Sequence, residues 1–146
     1  MRALADSDLA GLRRTFEVNT FAPLALLQAV RPFLATGNGM VINLSSDAAM
    51  EGYEGWGSYG SSKAALDLLS LTLANELREE GISVVSVDPG DMRTSMHQNA
   101  FPGEDISDRP LLEVMMPIWG WLLGQEAEAV TGQRFQAQSE LWQVPA

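Results

Sequence analysis

Cysteine is absent from this chain of 146 residues, which removes disulfide staples, thiol nucleophiles and thiolate metal sites. Histidine occurs once, at His97, with no second ligand near it, so it reads as a loop histidine rather than a metal ligand, and no metal is expected. Positive charge is scarce: 9 Lys and Arg against 19 Asp and Glu leave a net charge of −10. Such a surface repels phosphates, which argues against nucleic acid or an anionic membrane as partner and reads most simply as a solvated acidic exterior. No apolar run is long enough to span a bilayer; the longest, Val114 to Leu123, is interrupted by Pro117 and Gly120. The N-terminal segment lacks the apolar core of a signal peptide, so the cytoplasm is the expected compartment. A phosphate-binding glycine turn between a strand and a helix is missing too. Gly52, Gly55, Gly57 and Gly60 precede one helix or sit in its first turn, with no such turn upstream.

What is present suits a folded domain. An apolar fraction of 46% argues against disorder, and the length allows one domain at most, spanning residues 1–146. Helix is predicted after a cap at Ser7 or Asp6, with Leu9, Leu12 and Phe16 on one face. Pro23 interrupts this pattern, which resumes through Leu24, Leu27, Val30 and Leu34. A proline at 23 frees the carbonyl four residues earlier, that of Asn19. After the Gly37-Asn38-Gly39 turn, Met40 to Leu44 reads as a buried parallel strand. A loop from Ser46 to Ser58 leads to a helix from about Tyr59 to Glu80, capped by Gly81, and then a strand from Ile82 to Val87. Strand, helix, strand in this order predicts a right-handed parallel crossover in an α/β fold. Met96 to Pro110 reads as a polar loop, Leu111 to Leu123 as helix, and Gln133 to Ala137 as a last strand. The tail from Gln138 to Ala146 carries no signal.

The chemistry concentrates around one helix start. Tyr59 and Lys63 stand four residues apart and so share a helix face, with Ser46 thirteen residues before the tyrosine at the end of a strand. An ammonium beside a phenol favours the phenolate, and the pair is expected to lower the Tyr59 pKa toward values useful for proton transfer. In an open parallel sheet, ligands bind beyond the carboxyl ends of the strands. Ser46 follows one strand and Pro89-Gly90 the next, so both fall on one rim.

In these residues the chain resembles the short-chain dehydrogenase/reductase family. Ser46, Tyr59 and Lys63 match, as do Asn19 on the preceding helix and the segment Val87-Asp88-Pro89-Gly90-Asp91-Met92-Arg93-Thr94. The resemblance runs from about Asp8 to Gln136 and implies part of a Rossmann-like, doubly wound parallel sheet of about three strands with flanking helices. It implies an oxidoreductase using NAD or NADP and acting on a small alcohol or carbonyl compound. Tyr59 would be general acid or base. Lys63 would tune it and bond the nicotinamide ribose. Ser46 would orient the substrate oxygen, and Asn19 would support a water in a proton relay. Pro89, Gly90 and Thr94 would contact the nicotinamide end, with Met92 offering its backbone. Met115, Met116, Trp119 and Trp121 fit either a substrate pocket or a core or subunit contact. Asp88 and Asp91 read as turn-forming aspartates rather than an acid pair.

The family's opening Gly-rich turn and its Asn-Ala-Gly strand have no counterpart here, so the sequence presents a catalytic half without its main cofactor-binding half. Cofactor binding by this chain alone is expected to be weak. The strand Met40–Leu44 would then leave an apolar edge, which predicts an oligomer or poor solubility. The resemblance places homo-oligomer contacts on the helices near 8–35 and 59–80. Two other readings stand beside the oxidoreductase: a remnant that keeps the residues but does not turn over, and a dimerisation or interaction module.

Overall fold

The structure is a computed structural model and describes residues 3–139 and residue 142. Its first helix, α1 (Leu9–Phe16), is capped by Asp8, whose carboxylate accepts from the N–H groups of Ala10 and Gly11. This corrects the expected cap at Ser7 or Asp6. Asp6 instead closes a 3-10 turn over Leu4–Asp6, and the Ser7 hydroxyl donates to the Ala3 carbonyl. Between α1 and α2 (Ala22–Ala35) the chain widens into a π turn, Glu17–Phe21, in which the Ala22 N–H bonds the Glu17 carbonyl. Pro23, with no N–H to place, sits in the first turn of α2, where that lack is tolerated. The distortion expected around Asn19 is therefore a π turn, a form often found at functional sites.

β1 (Met40–Leu44) follows, then α3 (Gly57–Glu76), β2 (Ser83–Asp88), α4 (Ser95–Ala100), α5 (Met116–Leu122), α6 (Ala127–Val130) and β3 (Arg134–Gln136). Several boundaries move from expectation: β2 is shifted by one residue and β3 is shorter by one at each end. α3 starts at Gly57 and ends at Glu76, with a separate 3-10 turn at Arg78–Glu80 before Gly81 reverses the chain at φ 71°. Ser95–Ala100 is helical inside the segment expected to be loop, because the Thr94 hydroxyl accepts from the His97 N–H and caps it.

The three strands form one parallel sheet in the order β1-β2-β3, with Met40 opposite Ser83 and Val87 opposite Phe135. Side chains alternate along β2, so it feeds a core on each face. Val84 packs with Leu27 of α2 and Ala74 and Leu77 around α3. Val85 and Val87 pack with Met115, Ile118 and Leu122 around α5, and with Phe135. Helices thus cover both faces of an α/β sheet. β2 is buried throughout, whereas β1 pairs on one side only among the described residues and ends with Leu44 at 48% exposure.

Candidate functional site

The carboxyl ends of β1 and β2 open into a cavity of about 590 Å³, whose lining includes Ser46, Tyr59, Pro89, Gly90, Met92 and Thr94. Six residues predicted from sequence thus share one space. Ser46 stands there because β1 stops at Leu44 and the chain turns into a 3-10 segment, Asp47–Ala49. The Ser46 hydroxyl accepts from the Ala48 N–H at 3.2 Å and donates to Asp47 Oδ1 at 2.9 Å.

Tyr59 lies in the first turn of α3, which approaches the Ser46 loop closely. A Cβ at Gly60 would collide with the Ala48 carbonyl oxygen, so glycine at 60 lets helix and loop touch. The Lys63 ammonium sits 5.7 Å from the centre of the Tyr59 ring and donates to the Leu44 carbonyl at 2.8 Å. The expectation that Lys63 lowers the Tyr59 pKa is corrected. Burial raises it, the carboxylates of Asp47 and Asp88 add to that, and only the Ser46 hydroxyl opposes. Burial also lowers the Lys63 pKa, against the pull of Asp67.

Asn19 does not line the same cavity. It borders a shallower groove on the other side of Tyr59. Its Nδ2 donates to the Ser62 hydroxyl at 3.0 Å, which donates in turn to the Tyr59 carbonyl at 2.7 Å. Thr20 adds a bond from its hydroxyl to the Ser62 carbonyl at 2.9 Å. The π turn thus grips the first turns of α3 through a serine that is fully buried.

Sequence reading missed the polar network beneath the rim. Arg134, which opens β3, donates to Asp67 Oδ2 at 3.1 Å, Asp88 Oδ2 at 3.1 Å and the Ser46 carbonyl at 2.8 Å. Asp67 Oδ2 also accepts from the Ser45 hydroxyl at 2.6 Å, and Asp88 Oδ1 from the Gly90 N–H at 3.0 Å. Asp88 forms the turn, as expected, and is an ion-pair partner as well. Exposed Asp91 faces His97 at 3.6 Å and Arg109 at 3.7 Å. The only signal for the network was an arginine in a short strand beside one that ends in aspartate. Gln138, in the tail that gave no signal, donates to the Pro89 and Asp91 carbonyls at 2.9 and 2.8 Å. Gly90 has φ 68°, a backbone conformation that side chains strain, and a Cβ there would stand 2.7 Å from Gln138 Nε2 and push that amide away from the turn.

Of the segment read as pocket or core, Met115 and Ile118 are core, Trp119 packs against it, and Trp121 lies against Phe135 and Trp142. None of Met115, Met116, Trp119 and Trp121 lines the cavity, so the pocket reading of them falls. Its aromatic wall comes from elsewhere: Tyr59 meets Trp56 at 5.7 Å, Trp56 meets Phe101 at 5.6 Å, and Phe101 meets His97 at 4.9 Å between ring centres. Neither glycine-flanked Trp56 nor Phe101 in a polar stretch announced this. Among the described residues no group of three or more His, Asp and Glu could hold a metal, and no helix is long and apolar enough to cross a membrane.

An open parallel sheet covered by helices on both faces, with a cavity at its strand ends, defines an α/β protein of the Rossmann type. The family model described as short chain dehydrogenase matches residues 1–105, and the chain belongs to that family. The uncharacterized oxidoreductase YciK of Escherichia coli K12 is 34% identical over 123 residues, covering 84% of this chain and 48% of its own length. L-xylo-3-hexulose reductase of Hypocrea jecorina QM6a is 42% identical over 96 residues, 65% of this chain and 31% of that protein. A short chain dehydrogenase of Shigella flexneri 2a, solved in complex with NADP, superposes with a TM-score of 0.87 at 29% identity, covering 94% of this chain and 58% of that one. The chain spans about half the length, or less, of these curated relatives.

Proposed function

We propose that this chain carries the proton-transfer half of an oxidoreductase that moves a hydride between a nicotinamide dinucleotide and a small alcohol or carbonyl compound. The observation that carries this reading is the shared cavity of Ser46, Tyr59, Pro89, Gly90 and Thr94, with Lys63 against the Tyr59 ring. The cavity lining fits the nicotinamide end of such a cofactor, with a hydroxyl at Thr94 and backbone at Met92, while the Lys63 ammonium stands behind the Tyr59 ring rather than on the lining. Bound there, the cofactor supplies the hydride, and the protein supplies position and protons.

Burial favours the protonated phenol of Tyr59, the state needed to donate a proton to a carbonyl oxygen as it becomes an alcohol. Ser46 holds that oxygen beside the phenol. Lys63 returns positive charge to the phenolate left behind, and Asn19 steadies the helix start through Ser62. The cavity also suggests which compounds enter. Asp47, Glu54, Asp88 and Asp91 line it together with Trp56, Phe101 and Met96, and no lysine or arginine does. A neutral, partly apolar carbonyl compound fits; a carboxylate does not. The exposed Leu26 and Phe33 of α2 and Leu68 and Leu71 of α3 support a homo-oligomer through these helices.

Reduction of neutral aromatic and aliphatic ketones by the chain with NADPH or NADH tests the reading. Tyr59→Phe is expected to lower the rate by about 10²–10⁴-fold. A wild-type chain with no turnover, or a variant as fast as wild type, overturns it.

A further inference from the structure

The structure assigns to Arg134 the positioning of both rim segments: one guanidinium fixes the Ser46 loop and the Asp88–Gly90 turn against the Tyr59 helix. This rests on the proton-transfer reading above for its catalytic consequence, but its geometry stands alone. Arg134 lies outside every motif that the sequence displays. It nonetheless reaches three separate elements: α3 at Asp67, one turn beyond Lys63; the end of β2 at Asp88; and the Ser46 carbonyl after β1. A planar fork with several fixed donors can do this, and a point-charge ammonium cannot. The partners are well covered, with side-chain exposures of 24% for Arg134, 15% for Asp67 and 7% for Asp88.

Each bond passes on to a group at the rim. Asp88, held by one oxygen, uses the other to take the Gly90 N–H and so shapes the Pro-Gly turn. Asp67 takes the Ser45 hydroxyl on the same oxygen, Oδ2, that Arg134 holds. Arg134 also places a positive charge beside a carboxylate that acts on the phenol. Asp88 acts on Tyr59 in the direction of a higher pKa, and the guanidinium beside Asp88 offsets that carboxylate. Geometry and charge are thus two separable services of one side chain.

Arg134→Lys and Arg134→Met separate them, each made in a Tyr53→Phe background so that Tyr59 is the only phenol. Ultraviolet phenolate titration reads the field, and amide hydrogen exchange at Ala48 and Gly90, against Val84 and Val85 of β2, reads the geometry. In Arg134→Met the Tyr59 midpoint is expected to rise, and exchange at Ala48 and Gly90 to quicken about tenfold or more, with the β2 amides unchanged. Arg134→Lys is expected to restore the midpoint but not the protection. An unchanged midpoint and unchanged protection overturn the proposal, as does exchange that quickens equally across β2, which marks a merely structural role. Should Arg134→Met fail to fold, Arg134→Lys decides alone: Gly90 exchange equal to that of the parent overturns the proposal. Turnover supplies the remaining arm, with kcat falling in Arg134→Lys and KM held within about twofold. Absent turnover in the wild-type chain defeats the proposed function, while titration and exchange still judge Arg134.

Discussion

The two edges of the sheet are finished differently. At the β2–β3 side, strand ends meet a shared polar network: Arg134, Asp67, Asp88, Ser45 and the Ser46 carbonyl share bonds, and Gln138 ties down Pro89 and Asp91. At the β1 side, the strand has one neighbour among the described residues, and α2 beside it turns Leu26 at 65% and Phe33 at 77% to solvent. An exposed ion pair, Arg31 with Glu80, joins α2 to the turn after α3. Substitutions on the network side should therefore cost much more than those on the open flank.

The largest effect is expected from Asp88→Asn. It leaves Arg134 facing a neutral partner in a covered site and weakens the acceptor for Gly90. Breaking a buried pair costs about 3–5 kcal/mol, and the denaturant midpoint should fall accordingly. A midpoint near that of the parent would show that the network is solvated and would erase the contrast. Next comes Gly60→Ala, whose methyl would strike the Ala48 carbonyl oxygen. Overpacking of this kind costs about 1–3 kcal/mol, and Tyr59 should lose its alignment with Ser46, read as a fall in the rate of ketone reduction. By contrast Leu68→Lys, on the exposed face of α3 at 66%, should leave stability within about 0.5 kcal/mol while reducing self-association in sedimentation. Unchanged sedimentation would remove α3 from any interface.

The same contrast explains what the sequence disclosed. β1 was legible to the residue because an apolar run between Gly39 and Ser45 has one reading, and the rim followed from the parallel crossover. Asn19 and Pro23 together foretold the distorted helix, since a missing N–H is a local fact. The Arg134 network was not legible. Its members lie at positions 46, 67, 88 and 134, and only the fold brings them together. Met115 and Trp119 were ambiguous for a related reason: an apolar face is marked by its residues, but not whether that face meets a core or a ligand. The pKa of Tyr59 was misjudged because Lys63 was visible in sequence four residues away, whereas the burial of the phenol, which dominates, was not.

The smallest effect is a slope with pH, and its sign follows from burial at the rim. Tyr59 has a raised pKa when folded, so the stability it contributes is complete below the unfolded value near 10 and is lost as pH rises through the raised value. Tyr53, bonded to Asp47 and pushed up to about 12, acts in the same direction from the protein surface. Lys63 is depressed, so its contribution is complete above 10.5 and is lost as pH falls through the lowered value. Denaturant midpoints measured from neutral pH upward should therefore climb slightly toward pH 10 and decline beyond it. Lys63→Met should flatten the climb and Tyr59→Phe should soften the decline. A decline that Tyr59→Phe leaves untouched would assign it to Tyr53, and Asp47→Asn, which removes the negative charge that the Tyr53 hydroxyl donates to, should then bring the phenolate titration of Tyr53 back toward its ordinary range.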